Sequence, residues 1–429
     1  MENRFILKEN FQNGGFDSLL LDVYGDESIL SYLRERFAGA IDSFAENFAE
    51  EEVAIYSAPG RTEVGGNHTD HQHGKVLAAS INRDAIAVVS KSSKINVISA
   101  AGGGRISIEV NDLAKKDDEE GTTASLIRGV LAGLAERGYT VGGFNAYVTS
   151  DVLIGAGLSS SAAFETLIGT IISGLYNDMK VSPIEIAQIG QYAENVYFGK
   201  PCGLMDQMAS SVGSLVTIDF ADPEKPIVEK VDFDMAAHGY SLCITDTKAD
   251  HVNLTPDYAA VPAEMKAAAA VFGKEVLREV DPAEIIKNIP LIREKVSDRA
   301  ALRALHFITE NTRVDEQVSA LREGNTAAFL AAVKASGDSS FKYLQNVYTN
   351  KDVEHQAVSI ALGVSDYYLN ADGKNHGVAR VHGGGFAGTI AAFVENDYVA
   401  EYKKAMDRLF GDGACNVLQI RKYGGMQII

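Results

Sequence analysis

Residues 151–165 carry the densest chemistry of the chain: Asp-Val-Leu-Ile-Gly-Ala-Gly-Leu-Ser-Ser-Ser-Ala-Ala-Phe-Glu. A strand-like run, Phe144 to Val148, precedes a glycine pair and a serine triplet that opens an Ala-rich helix. The start of a helix leaves backbone N–H groups unpaired and carries partial positive charge, so it attracts phosphate. Gly155 and Gly157 let the backbone approach an anion with no Cβ in the way. Ala156 and Leu158 complete the loop, and Ser159, Ser160 and Ser161 add hydroxyls that can cap the helix, bind phosphate oxygens or ligate a hard cation. The Gly-Lys-Ser/Thr ending of a Walker loop is absent. Gly155-x-Gly157 and Gly383-x-Gly385-x-x-Gly388 also resemble dinucleotide fingerprints, but such a match needs a βαβ unit and an acidic residue about 20 positions on.

A second cluster, Ala58 to Gly74, brings Arg61, Asn67, His68, Asp70, His71 and His73 onto one loop and its flanks. Three histidines and an aspartate invite a metal site, although no pair has the helical spacing of a metalloprotease. The other chemical reading is a polyol pocket. There Asp70 accepts hydrogen bonds from adjacent hydroxyls, and Asn67 and His68 donate. A third cluster holds Glu194 and, 12 residues later, Asp206. Each alone reads as a surface acid. Beside a phosphate cradle, one can hold magnesium while the other sits against a nucleophilic hydroxyl.

The elements that must position these groups are mixed α and β. Helices are expected over 16–48, 123–137, 162–179 and 183–198, with long helical stretches across 258–335. Strands are expected at 52–57, 84–91, 105–110, 214–220 and 241–245, and strand or helix edges flank the last glycine loop at 378–381 and 390–394. The 429 residues suggest two domains, divided near 220 into 1–220 and 221–429, with the last residues free to return to the first.

Composition narrows the field further. A net charge of −19 argues against a nucleic-acid surface, so any phosphate site relies on local amides, a few cations and magnesium. No apolar run of the length needed to span a bilayer occurs, and the N-terminus lacks the apolar core of a signal peptide. Cys202, Cys243 and Cys415 are widely spaced and read as free thiols of a cytoplasmic protein.

The three clusters, in this order, resemble the GHMP small-molecule kinases, and within them the galactokinase branch. Pro59-Gly60-Arg61 with Gly66-Asn67-His68-Thr69-Asp70 is similar to that branch's sugar signature. Gly155 to Ala162 is similar to the shared nucleotide loop, Cys202 to Gln207 to the catalytic segment, and Gly383 to Gly388 to the third motif. The matches run from about residue 57 to 394. The resemblance implies a two-lobed α+β fold with its active site in the cleft between the lobes, and ATP-dependent phosphorylation of a monosaccharide's anomeric hydroxyl. It makes Asp206 the general base and Arg61 the stabiliser of developing charge. It gives the phosphates to the amides of Gly155–Ser161, magnesium to Ser161 and Glu194, and the sugar to Asn67, His68, Asp70 and Tyr258.

Departures from the family pattern qualify the substrate. The signature's usual Gly-Glu-His-Thr-Asp-Tyr is here Gly66-Asn67-His68-Thr69-Asp70-His71. The family's Glu at position 67 contacts the sugar's C6 hydroxyl. A pocket lacking that charge tolerates a C6 carboxylate, so the expected D-galactose has galacturonate or another pyranose as its alternative. Leu153, Ala387 and Thr389 depart conservatively. A sugar sensor without turnover is the reading from another class, but Arg61, Ser161, Glu194 and Asp206 all stand at matching positions.

Overall fold

The computed structural model describes residues 1–102, 104–152, 157–249 and 254–429, with Asp372 as backbone only. Of the expected phosphate loop, Leu153, Gly155 and Ala156 lie outside these residues, while Gly157 to Ser161 lie within them.

Two long strands, Glu52–Gly65 and Lys75–Ser92, form the spine of the first sheet. Their apolar residues are buried almost without interruption, because helices cover one face and further chain the other. The segments expected as strands at 52–57 and 84–91 are the outer halves of this pair. They align with Ala54 opposite Val89, and the register slips between Pro59 and Arg61 and again between Glu63 and Gly65. Such slips bend a strand and re-aim its side chains. Here they flank the segment Arg61 to Glu63, at the inner end where the signature loop begins.

The sheet has nine strands, running Glu2–Asn3, Glu52–Gly65, Lys75–Ser92, Gly143–Ser150, Ile95–Ser99, Arg105–Ile108 along its main path. All neighbours are antiparallel except Ile95–Ser99 beside Gly143–Ser150. Leu215–Asp219 pairs with Lys75–Ser92 and carries Ile227–Val231 beyond it, so this sheet continues past residue 220. Met426–Gln427 returns to pair with Tyr56 and Ser57. The second sheet is antiparallel, in the order Gly377–Val381, Thr389–Glu395, Tyr240–Asp246, Cys415–Leu418.

Helix limits follow local chemistry. The region expected as one helix over 16–48 is split at Gly25, whose φ of 69° stops Asp17–Tyr24; Leu30–Asn47 then restarts behind a short turn capped by Asp26. A further helix, Arg4–Gln12, is capped by Asn3. Ser182 and Glu185 form a reciprocal capping box on Pro183–Tyr192, which widens into a π-type turn, Ala193–Phe198, stopped by Gly199. Wide turns of that kind recur at functional sites, and Glu194 sits on this one.

Helices Thr123–Glu136 and Ser160–Asn177 pack Ile127, Leu131, Leu167 and Ile171 against Ala87, Phe144 and Ala146 of the first sheet. Another core joins the two lobes: Val64, Leu77 and Leu158 meet Ile244, Val314, Phe329 and Phe393, the last two rings edge-on at 5.2 Å. Each such side chain contributes about 1.5–3 kcal/mol on burial. The lobes are thus joined through apolar contact.

Candidate active site

Arg61 leaves the bulged strand with its backbone N–H on the Leu158 carbonyl, 3.1 Å away, which ties the strand to the loop before helix Ser160–Asn177. Its guanidinium grips Asp206 as a fork, Nε to Oδ1 and Nη2 to Oδ2, both at 2.6 Å, and Nη1 donates to the Gly157 carbonyl. Asp206 stands in the first turn of helix Met205–Val212. Ser159 does not cap the helix it precedes; held at φ 57°, it donates its hydroxyl to Asp206 Oδ2 at 2.8 Å. Burial pushes the Asp206 carboxyl up, but Arg61 and then Ser159 more than offset this and hold it below its ordinary value. With 30% of its side chain exposed, Asp206 still faces solvent. It is an ionised, firmly oriented carboxylate.

In the helix's first turn, Ser161 Oγ lies 3.3 Å from Glu194 Oε1, which Lys200 Nζ also approaches to 3.2 Å. Among the described residues no three His, Cys, Asp or Glu side chains are arranged to hold a metal by themselves. The hydroxyl and carboxylate nevertheless suit magnesium, which takes one or two protein oxygens and completes its shell with phosphate and water.

The signature loop is held mainly from the second lobe. His306 Nε2 donates to the Asn67 carbonyl at 2.9 Å, and Glu310 Oε1 accepts the Gly66 N–H at 3.1 Å, both from helix Asp298–Arg322. The Asn67 amide is saturated by protein. Its Nδ2 donates to Glu63, 3.1 Å from either oxygen, and to the Gly383 carbonyl at 2.7 Å; its Oδ1 accepts from Asn346 at 2.8 Å and Ser340 at 3.2 Å. Glu63 in turn pairs with Arg380 at 2.6 Å. The expectation that position 67 leaves the pocket without a negative charge is therefore corrected: a carboxylate stands four residues earlier, in contact with the Asn67 amide. Burial pushes Glu63 above its ordinary value, with Arg380 and Asn67 opposing.

His68 Nε2 faces the Gly384 carbonyl at 3.1 Å, so that nitrogen donates and Nδ1 remains an acceptor. Burial, with His71 nearby, lowers its pKa to about 4 and keeps the ring neutral. Asp70 lies against Gly203, where any Cβ would collide with its Oδ2. Tyr258, from helix Thr255–Ala270, donates to the Gly385 carbonyl at 2.9 Å and packs its ring on Gly384. Tyr258 borders the Ser159–Asp206 cavity, whereas Asn67, His68 and Asp70 border the neighbouring one.

Three connected hollows result. A polar cavity of about 290 Å³ is walled by Glu63, Asn67, His68, Asp70 and Asp206. It shares Arg61, Lys200, Asp206 and Gly384 with a second, of about 380 Å³, that runs along Gly157–Ser161 to the Gly384–Thr389 loop. Beyond Ser160 and Ser161 opens a larger, mainly apolar cavity of about 1200 Å³, lined by Val97, Ile106, Leu126, Val148 and Phe164. The small cavities suit a polyol and phosphates; the large one suits a planar, apolar-faced group.

Residues 42–91 match the galactokinase galactose-binding signature, and residues 125–214 the N-terminal domain of GHMP kinases. The galactokinase of Streptomyces coelicolor is 31% identical over 385 residues, 88% of this chain and 94% of that protein. The chain belongs to the galactokinase family. A galactokinase of Actinobacillus pleuropneumoniae serotype 3 is likewise 31% identical, over 85% of this chain and 91% of its own length. Among solved structures, Lactococcus lactis galactokinase complexed with galactose superposes with a TM-score of 0.75 at 25% identity, covering 90% of this chain and 98% of that one. A mevalonate kinase at 14% identity, TM-score 0.60, shares the fold.

For a galactokinase family member, the polar groups that sequence motifs pass over are instructive. Glu165, one turn beyond Ser161, is fully buried, its Oε1 without a partner among the described residues; Gln207 Nε2 bridges its other oxygen, at 3.1 Å, to Glu194 at 2.9 Å. Burial and the neighbouring Glu194 charge push its carboxyl well above the ordinary range. His382, buried between Thr62 and Thr389, has its pKa lowered to about 3 by burial and by Arg61. Glu63 and Arg380 complete the set. The apolar wall around Phe164 also carries no motif, since Val97, Ile106, Leu126 and Val148 reach it from separate elements.

Proposed function

We propose that this chain transfers the γ-phosphoryl group of ATP to the anomeric hydroxyl of D-galactose. The observation that carries this reading is the Arg61–Asp206 fork standing at the junction of the polyol-sized cavity and the phosphate-facing start of helix Ser160–Asn177. Adenosine would occupy the large apolar cavity, and the helix N-terminus with the Gly157–Ser161 segment would receive the phosphates. Gly155 and Ala156 belong to the same proposed loop. Ser161 and Glu194 would hold Mg²⁺, which when bound neutralises phosphate charge.

The remaining steps belong to side chains. His68 and Asp70 would bind ring hydroxyls, one through the free Nδ1, the other through a carboxylate able to accept from neighbouring hydroxyls. Asn67 would position that loop rather than touch sugar, and Tyr258 would order the Gly384 turn above the reacting groups. Asp206 would orient the anomeric hydroxyl and take its proton. A carboxylate held below its ordinary pKa is a weak base, so the proton would move late, once bonding to phosphorus has acidified the hydroxyl. Arg61 would fix Asp206 and offset charge as it builds.

The lobes would divide near residue 231, where the first sheet ends. Three cysteines free of disulfides fit a reducing cytoplasm.

Asp206→Asn tests the reading. Turnover of galactose, followed by ADP release, should fall roughly a thousandfold or more, while calorimetric galactose binding persists. Turnover surviving in Asp206→Asn would remove the residue from the chemistry.

A further inference from the structure

The wall of the sugar cavity carries two touching polar side chains whose hydrogen-bonding capacity differs. One, the Asn67 amide, has two donors and two acceptor positions, and protein groups occupy all four. The other, Glu63, lines the same cavity with an acceptor-only group offering about four lone-pair positions. Asn67 is 1% exposed and Glu63 4%, so the occupancy of their hydrogen-bonding positions, not exposure, separates the two. Oε1 receives Arg380 at 2.6 Å and shares the Asn67 N–H, whereas Oε2 has that one shared N–H at 3.1 Å.

Glu63 is also braced as a ligand-contacting group would be. Arg380 spends its other nitrogens on the Val64 carbonyl at 2.8 Å and the Val381 carbonyl at 3.1 Å, so the ion pair cannot swing away. The backbone N–H of Glu63 is fixed on His382 at 3.2 Å, and the register slip beside Gly65 turns the strand at this point. A carboxylate with a spare lone pair, fixed from behind and bordering a polyol-sized cavity, has one chemical use there: accepting from a hydroxyl of the ligand.

We infer that Glu63 is a further sugar-binding residue, accepting a hydrogen bond from a ring or side-arm hydroxyl away from the anomeric carbon, with Asn67 as its positioning partner. It holds only if the polar cavity is the sugar site proposed above. A carboxylate acceptor favours a hydroxyl over a hydrogen at that carbon, because losing the donor leaves a buried charge under-paired. It also opposes a second carboxylate, so galacturonate is disfavoured although position 67 is an amide.

The test is a set of kcat/KM values for wild type and Glu63→Gln across galactose, its 2-, 3-, 4- and 6-deoxy analogues and galacturonate, with thermal melting alongside. Wild type should lose roughly ten- to a hundredfold with the one analogue that lacks Glu63's partner hydroxyl. In Glu63→Gln, KM for galactose should rise by a similar factor with kcat little changed. That one analogue should cost the variant little further, while the other deoxy sugars remain as discriminated as before. The penalty against galacturonate should shrink as well. An equal penalty on every sugar, or an unchanged galactose KM, would make Glu63 a purely structural group and overturn the inference. If Glu63→Gln does not fold, Glu63→Asp, which keeps the charge but withdraws it by one methylene, is read by the same coupling to the deoxy sugars, with the penalty against galacturonate retained. Failure of wild type to phosphorylate galactose would instead sink the proposed function, which the wild-type lane reports separately.

Discussion

Two buried carboxylates on paired strands, Asp84 and Glu63, face arginines from distant parts of the chain and are supplied very differently. Asp84 receives Arg36 on Oδ1 at 2.6 Å; its Oδ2 receives Tyr24 at 2.7 Å, Arg421 at 3.0 Å and the Ser57 hydroxyl. Burial raises its carboxyl, but two guanidiniums and two hydroxyls overcome that and hold it below its ordinary value. Glu63 has one guanidinium and one amide, and burial wins. Donor supply decides the outcome, since desolvation acts on both. The saturated carboxylate ties the N-terminal helices, the strand pair and the returning C-terminal segment together. The under-supplied one borders the cavity, where a ligand can complete it.

The largest test of this contrast is Asp84→Asn. It leaves Arg36 and Arg421 buried with their shared counter-ion gone, which should cost about 3–5 kcal/mol in urea unfolding. Galactose turnover per folded molecule should be kept. Glu63→Gln should cost less, about 1–3 kcal/mol, because the amide oxygen still accepts from Arg380 and Glu310 lies near that guanidinium. Equal losses for the two variants would show that donor supply is not what separates the sites.

A smaller effect comes from pH, and the two groups act with opposite sign. The folded pKa of Asp84 lies below its unfolded value, so Asp84 stabilises above about pH 4, and that contribution is lost as pH falls through the folded pKa. The folded pKa of Glu63 lies above its unfolded value. Its contribution is complete below about pH 4.3 and is lost as pH rises through the raised pKa. Stability measured from pH 7 downward should therefore gain a small increment in wild type before the general acid loss. Glu63→Gln should lack that increment. Galactose KM should rise over the same interval in wild type, as protonation removes the charge and leaves a weaker, neutral acceptor, and stay flat in the variant.

The sequence made one part of this site legible and hid the other for a physical reason. Arg61, Ser159, Ser161, Glu194 and Asp206 sit in local strand–loop–helix segments whose glycines and serines announce an anion site; the folded chain sets four of them along one cavity, with Glu194 buried behind Ser161. Their partners carry no such mark. Arg380, Asn346 and His306 reach the signature loop from residues 239 to 317 positions away, and nothing local distinguishes a structural arginine from a solvent-facing one. Glu63 lies inside a strand, between two register slips that no local sequence pattern announces. Asn67 misled for a related reason: its type suggested a missing charge, and only folding brings Glu63 beside it. The break at Gly25 and the helix at Arg4–Gln12 were hidden similarly, because amphipathic continuity outweighs a single glycine or an N-terminal cap in a local reading.

The finest test removes a single donor from the saturated carboxylate. Tyr24→Phe deletes one hydroxyl from Asp84 Oδ2 and little else, since the ring keeps its edge contact with Phe37 at 6.4 Å and stays beneath the Arg421 guanidinium at 5.7 Å. A hydrogen bond to a charged acceptor contributes about 1.5–3 kcal/mol when its loss leaves the acceptor under-paired. Here Arg421 and Ser57 remain on the same oxygen and Arg36 on the other, so the loss should be about 1 kcal/mol or less by urea unfolding. The Asp84 pKa should move up only slightly. A loss as large as that of Asp84→Asn would mean that the four donors act as one indivisible network rather than as a surplus. The contrast with Glu63 would then rest on cooperativity among donors and not on their number.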